Sequence, residues 1–159
     1  MSKPRKTWQE KLADDKDFSR VVEITDKMSK RWGTGTLVIP APREVDEIMG
    51  KVPRGKLITI NQIREIVARK HGATIGCPLT TGIFAMIAAR AVEEATAEGK
   101  RGITPYWRTL KAKGELNEKY PGGIDAQAAH LKEEGHIIEL GIGKKPPKVK
   151  DFERALVEG

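Results

Sequence analysis

The sequence predicts an α+β fold, mainly α: a winged helix-turn-helix domain with an N-terminal extension of short helix and strands. Three observations carry that expectation. A capping box at Thr59-Ile60-Asn61-Gln62 opens a helix that Gly72 closes. A tight link from Ala73 to Pro78 leads into a second, longer helix. Past that helix, Lys113-Gly114 separates two strand-forming stretches, the sign of a hairpin or wing.

In chain order, residues 1–42 read as an appended segment. Thr7 to Ala13 starts a short helix, and Val21–Ile24 and Thr36–Ile39 are strands flanking a turn at Trp32-Gly33-Thr34-Gly35. Pro40-Ala41-Pro42 ends the second strand and leads into the main domain, 43–140. There Val45, Ile48, Met49 and Val52 recur at helical spacing, then Ile63, Ile66 and Val67 face inward from the capped helix. Thr80 or Thr81 caps the long helix, which runs to about Glu98 with Ile83, Phe84, Ile87, Ala88, Ala91 and Val92 as its core stripe. Glu93, Glu94 and Glu98 make its far end repel phosphates, which leaves the threonine-rich start to approach a duplex.

Trp107–Ala112 and Glu115–Leu116 flank the wing turn, Gly122-Gly123 breaks the chain, and a last helix covers Ile124–Glu134, followed by a strand at Ile137–Leu140. Residues 141–159 form a basic tail with Lys144, Lys145, Lys148 and Lys150, expected to lie loosely on the surface.

Composition narrows the function classes. With 38% hydrophobic and 32% charged residues the chain suits a soluble globular protein. The longest apolar stretch, Ile83 to Val92, is broken by Arg90 and too short to cross a bilayer, so no membrane partner is expected. The opening Met-Ser-Lys-Pro-Arg-Lys has charge but no apolar run, which predicts a cytoplasmic protein, nucleoid-associated in a prokaryote. A single cysteine, Cys77, excludes an internal disulfide, and the three histidines are not at metal-ligand spacing. Neither a metal nor a cofactor is expected.

Lys and Arg outnumber Asp and Glu by 29 to 22, a net charge of +7. The surplus is clustered: Lys51 to Lys70 holds six basic residues against Glu65 alone, and Lys100 to Lys119 six against Glu115 and Glu118. Such clusters suit phosphate neutralisation, though charge alone does not distinguish them from an ordinary solvated face.

The spacing of several pieces resembles the DNA-binding domain of the alkylguanine-DNA alkyltransferases and their alkyltransferase-like relatives. The resemblance runs from about Val52 to Ile138. Pro53-Arg54-Gly55-Lys56-Leu57-Ile58-Thr59 looks like the family's entry to its first helix. Pro105-Tyr106-Trp107-Arg108 stands where the transferases have Pro-Cys-His-Arg, and Gly114, Gly122-Gly123, Gln127, Leu131 and Glu134-Gly135 follow in order. Residues 1–42 do not resemble the N-terminal domain of the transferases.

The departures decide what the resemblance implies. The transferases' cysteine thiolate takes an alkyl group from O6 of a flipped guanine, helped by a histidine and a glutamate behind it. Here Tyr106 and Trp107 occupy the first two positions, and Glu134 alone is kept. A tyrosine hydroxyl is largely protonated at neutral pH and is a poor alkyl acceptor. The family's tyrosine after the Thr59 position is Ile60, and its arginine finger falls at Leu79, an apolar wedge at best. Extra residues lie between Gly82 and Tyr106.

The resemblance therefore implies a base pocket of Tyr106, Trp107, Arg108 and Glu134. It implies duplex contacts from Thr59, Ile60, Asn61, Leu79, Thr80, Thr81, Lys111 and Lys113. Plainer readings stand beside these: Tyr106 and Trp107 as core anchors of the wing, Arg108 as a tie between the wing and the helix-turn-helix, Glu134 as an ordinary charged last-turn residue, and Asn61, Thr80 and Thr81 as helix caps. Three functions stay open on the sequence. The first is a monomeric protein that binds double-stranded DNA, recognises alkylated guanine without transferring the alkyl group, and hands the lesion to other repair proteins. The second is an unusual alkyltransferase using Cys77, a thiol at a helix start, or other chemistry. The third is a winged-helix module indifferent to damage.

Overall fold

The structure, a computed structural model, describes residues 7–14, 18–100 and 103–158. The opening residues 1–6 lie outside them, as does Arg101, one of the six basic residues from Lys100 to Lys119.

Helix α1 (Trp8–Ala13) starts in a capping box: the Thr7 hydroxyl accepts from the Glu10 amide at 3.1 Å. Its next two amides, of Trp8 and Gln9, donate to the Glu94 carboxylate at 2.9 Å each, so the helix is also held from a distance. Strands β1 (Arg20–Glu23) and β2 (Thr36–Ile39) form where their β-branched residues predict strands, and they pair antiparallel. The connection between them is more than a turn. Helix α2 (Asp26–Trp32) fills it and stops at Gly33, so the glycine pair is a helix exit.

Helix α3 (Pro42–Gly50) buries Val45 and Met49 as the spacing predicts. Two residues of β3 (Ile58–Thr59) lead into α4 (Ile60–His71), whose capping box is present with Thr59 accepting from Gln62 and Gln62 accepting from Thr59. Gly72 ends α4 in the left-handed conformation at φ 64°, where a side chain is costly. The Glu44 carboxylate of α3 meets His71 at 2.7 Å and Lys70 at 3.2 Å, which clamps α3 to the end of α4.

The link to the second helix contains a two-residue strand, β4 (Ile75–Gly76), parallel to β2. The extension is thus built onto the turn of the helix-turn-helix. Gly76 permits it, because a Cβ there would sit 2.6 Å from the Arg64 carbonyl oxygen.

Helix α5 (Pro78–Ala97) is the long second helix. Its cap is Cys77, neither threonine: Pro78 suits the first helical position, where its missing N–H costs nothing, so the helix begins before Thr80. The Thr81 hydroxyl donates back to the Cys77 carbonyl at 2.6 Å. Of the predicted core stripe, Ile83 is 49% exposed and the other five are buried.

A short 3-10 turn (Tyr106–Arg108) leads to β5 (Thr109–Leu110), which pairs parallel with β3. The wing turn closes with Gly114 donating to Lys111 and Lys111 to Glu115. Its second arm pairs onward with the tail, Leu116 donating to the Pro147 carbonyl. Helix α6 (Gly123–Glu133) follows, then the antiparallel pair β6 (Ile138–Glu139) and β7 (Lys148–Val149).

The tail is bound, not loose. Val149 is buried, Leu57 donates to the Ala155 carbonyl and accepts from the Val157 amide, and the Gln62 side-chain amide donates to the Val157 carbonyl at 2.8 Å. Apolar Val149, Phe152 and Leu156 supply the reason: they complete a core with Leu57, Leu110, Leu116 and Leu131. A second core joins α3, α4 and α5 through Met49, Ile63, Phe84 and Ala88 and reaches Tyr106 and Tyr120. No helix among the described residues is long and apolar enough to cross a membrane.

Candidate nucleic-acid interface

The 3-10 turn sets two adjacent aromatics at different depths: Tyr106 is buried and Trp107 is half-buried. The Tyr106 ring meets Trp107 edge-on at 5.4 Å and Tyr120 at 5.3 Å, and its hydroxyl donates to the Pro121 carbonyl at 3.5 Å. His130, from α6, lies flat on Trp107, with ring centroids 4.1 Å apart and 13° between planes. Together with Ile103, Glu93 and Gly122, the rings of Tyr106, Trp107 and His130 border a mostly apolar cleft of about 480 Å³. Its dimensions suit a flat aromatic ligand.

Behind the cleft lies a polar lock. Trp107 donates its indole N–H to Glu134 at 2.7 Å, Arg108 donates to both oxygens of the same carboxylate at 2.9 to 3.0 Å, and the Gly55 amide adds a bond at 3.0 Å. Arg108 also reaches the Val52 carbonyl at 2.7 Å. Burial by itself would raise the Glu134 carboxyl, but Arg108, Gly55 and Trp107 together hold it down at about 2. Glu134 is therefore an anion at any physiological pH. All of its partners among the described residues are donors, which its two oxygens accept.

Tyr106 shifts the opposite way: burial pushes its phenol up, and the Glu93 charge adds to that. It stays protonated. Gln127, fully buried in α6, accepts from the Asn117 amide at 2.7 Å and donates to the Trp107 and Thr109 carbonyls at 3.2 and 3.3 Å. One amide thus fixes both the aromatic turn and the wing.

Two crystal structures share this arrangement of elements: S. pombe Atl1 in complex with damaged DNA containing O6-carboxymethylguanine, and S. pombe ATL in complex with DNA. Both have a TM-score of 0.52, cover 74% of this chain and 94% of their own, and are 18% and 17% identical to it. The fold is that of an alkyltransferase-like protein. No protein-family model matches the sequence, and no curated protein sequence does.

Within this alkyltransferase-like fold the sequence-derived residues divide. Tyr106 and Trp107 line the cleft. Arg108 and Glu134, expected beside them, form the lock behind Trp107 and do not line it, because their charges are spent on each other. Thr59 and Thr81 are 4% and 0% exposed with their hydroxyls engaged at helix starts, so neither faces a duplex. Thr80 has its hydroxyl buried and without a partner among the described residues. Ile60 and Lys111 are half-buried, and Asn61 and Lys113 are exposed. Cys77 is 6% exposed and is not among the cleft residues.

Leu79 is 66% exposed, but it does not adjoin the cleft. The first α5 residue at the cleft is Val92, about 20 Å further along at 1.5 Å per residue. Helix α5 is 20 residues long, and its length separates the cleft from its start. Both still share one face. Leu79, Ile83, Met86, Arg90, Glu93 and Ala97 recur at helical spacing, and Leu79, Ile83, Glu93 and Ala97 are exposed. The cleft opens at the far end of that stripe.

His130, which the sequence reading assigned no role in the site, is a wall of the cleft. The available signal was its spacing, four residues before Glu134 and so on the same face of α6. Gln127 was visible only as part of the resemblance, and a lone amide on an otherwise apolar helix face was its physical sign.

Proposed function

We propose that this protein binds double-stranded DNA and recognises alkylated guanine in it without taking the alkyl group, and that it serves DNA repair. The observation that carries the proposal is the cleft walled by Tyr106, Trp107 and His130 on a fold shared with proteins solved on DNA. Aromatic walls hold a base by stacking, worth about 1 to 3 kcal/mol per base. The apolar floor accommodates an alkyl substituent that would be poorly placed in water.

The same geometry argues against transfer. An acceptor needs a nucleophile and a base beside it. The phenol of Tyr106 stays neutral, Trp107 is a donor only, and the one thiol is buried at the start of α5. A protein that binds a lesion and leaves it unrepaired must pass it on, so downstream repair proteins are the expected partners. We place it in the cytoplasm or on the nucleoid, as a monomer.

Titrating matched duplexes with and without O6-alkylguanine tests the proposal. Preference for the modified duplex, with no mass gained by the protein, is expected. Equal affinity for both would leave a damage-indifferent winged-helix module.

A further inference from the structure

We propose that the N-terminal extension is part of the DNA interface: Arg31, with Arg64 and Trp32, holds the duplex backbone about six base pairs from the lesion. The inference rests on the duplex-binding reading above and adds a contact that reading does not need.

Between α2 and the start of α5 lies a groove of about 420 Å³ lined by Arg31, Trp32, Arg64, Pro78 and Leu79. Its walls come from the extension on one side and from the helix-turn-helix on the other. The extension is held firmly there. Strand β2 pairs with β4 inside the turn, Cys77 donates to the Val38 carbonyl at 2.9 Å, and Thr36 and Thr74 exchange backbone-to-hydroxyl bonds at 3.0 and 3.1 Å. Helix α2, hung between β1 and β2, inherits that position.

The charges suit one kind of occupant. Helix α2 presents Lys27, Lys30 and Arg31, none in an ion pair among the described residues. Arg64 is oriented by its bonds to the Gly76 carbonyl at 2.9 Å and to Asn61 at 3.1 Å, which leaves its other terminal nitrogen without a partner among the described residues. Two guanidinium groups across a groove, one of them already oriented, match a phosphodiester, which accepts paired N–H donors. Trp32 supplies an apolar side for the adjoining sugar. Among the described residues no carboxylate lines the groove.

Position gives the inference its length scale. Leu79 borders the groove and lies on the same exposed α5 stripe as Glu93 and Ala97 at the cleft. A duplex lying along that stripe with a modified base in the cleft passes its backbone over the groove about 20 Å away. At about 3.4 Å per base pair, that is roughly six pairs.

The test uses the full chain, duplexes with a central O6-methylguanine, and versions shortened to three pairs on one side or the other. Arg31→Gln, an exposed change checked for folding by circular dichroism, is compared with wild type. We expect binding to the long duplex to fall roughly tenfold for modified and unmodified DNA alike, with the preference between them unchanged and the salt slope reduced by about one. We also expect wild type to lose affinity on shortening one side only, and Arg31→Gln to be insensitive to that shortening. Unchanged affinity and salt slope in Arg31→Gln, beside a wild type that prefers the lesion, overturn the inference and leave the proposed function standing. If wild type binds no duplex, both fall. Loss of preference without loss of affinity in Arg31→Gln also overturns it, since the groove would then act on the cleft and not on the backbone.

Discussion

The Trp107 indole donates to Glu134 at 2.7 Å on its edge and carries His130 flat on its face at 4.1 Å. A ring fixed in two directions at once has already lost its rotamer freedom, so a base that stacks there does not pay for ordering it. The consequence is a steep dependence on this one side chain. Trp107→Ala is expected to weaken binding of an O6-methylguanine duplex by about 1 to 3 kcal/mol and to remove the preference over undamaged DNA. Trp107→Phe keeps a face for His130 and should retain more than half of that preference. Fluorescence anisotropy with paired duplexes measures both, and an undiminished preference in Trp107→Ala would place the lesion elsewhere.

The Glu134 lock predicts how the fold fails in acid. Its carboxyl sits at about 2 in the folded protein against about 4.5 when free, a depressed value. Stability from the lock is therefore complete above pH 4.5 and lost as pH falls from there toward 2. The amount is on the order of 3 kcal/mol, since the side chain is only 3% exposed and little screened. Glu134→Gln should lower stability at pH 7 by an amount of that order and flatten the pH dependence between 4.5 and 2. Urea unfolding at several pH values reads it, and parallel curves for the two proteins would contradict the assignment.

Local chemistry was the legible part of this chain. The capping box at Thr59, the glycine exit at Gly72, the apolar spacing of α3 to α5 and the short strands of the extension all state themselves within a few residues. What escaped depends on contacts between distant segments. Nothing near Lys148 says that Val149 closes the core with Leu57, and nothing near Glu94 says that it caps α1. The full set of partners held by Glu134 escaped for the same reason. A glutamate near a pocket motif looks like a pocket residue until Arg108, two positions beyond Tyr106, is seen to occupy both its oxygens. The distance of Leu79 from the cleft escaped because the length of α5 sets it, and pattern alone carries no distance.

Restoring the sulfur alone should not restore chemistry. Tyr106→Cys places a thiol at the cleft, but the neighbouring Trp107 can only donate and cannot take its proton. Burial at that position pushes a thiol toward its neutral form, as it does the phenol it replaces. Incubated with O6-methylguanine DNA, Tyr106→Cys is expected to show no added methyl mass, whereas Tyr106→Cys/Trp107→His, which places an acceptor nitrogen beside Glu134, should gain it slowly. Intact-mass spectrometry decides. A rapid methyl gain by the single variant would mean that another group serves as base.

Gln127 is the amide on which the aromatic turn and the wing both depend. It is fully buried and makes three bonds, so removing it exposes no water-accessible substitute for the Asn117 amide or the Trp107 and Thr109 carbonyls. Gln127→Ala should cost about 3 kcal/mol from the cavity and the orphaned groups together, a melting shift of roughly 6 to 12 °C. Gln127→Glu makes a sharper test. The new carboxyl can still accept from Asn117, but the two carbonyls call for a donor, so the folded state favours the protonated acid and raises its pKa. Its penalty therefore grows as pH rises above about 4.3, where the unfolded chain ionises freely. Melting curves should show Gln127→Glu near wild type at pH 4 and well below it at pH 8, opposite in sign to the Glu134 lock. A pH-independent difference would mean that the side chain does not face those carbonyls.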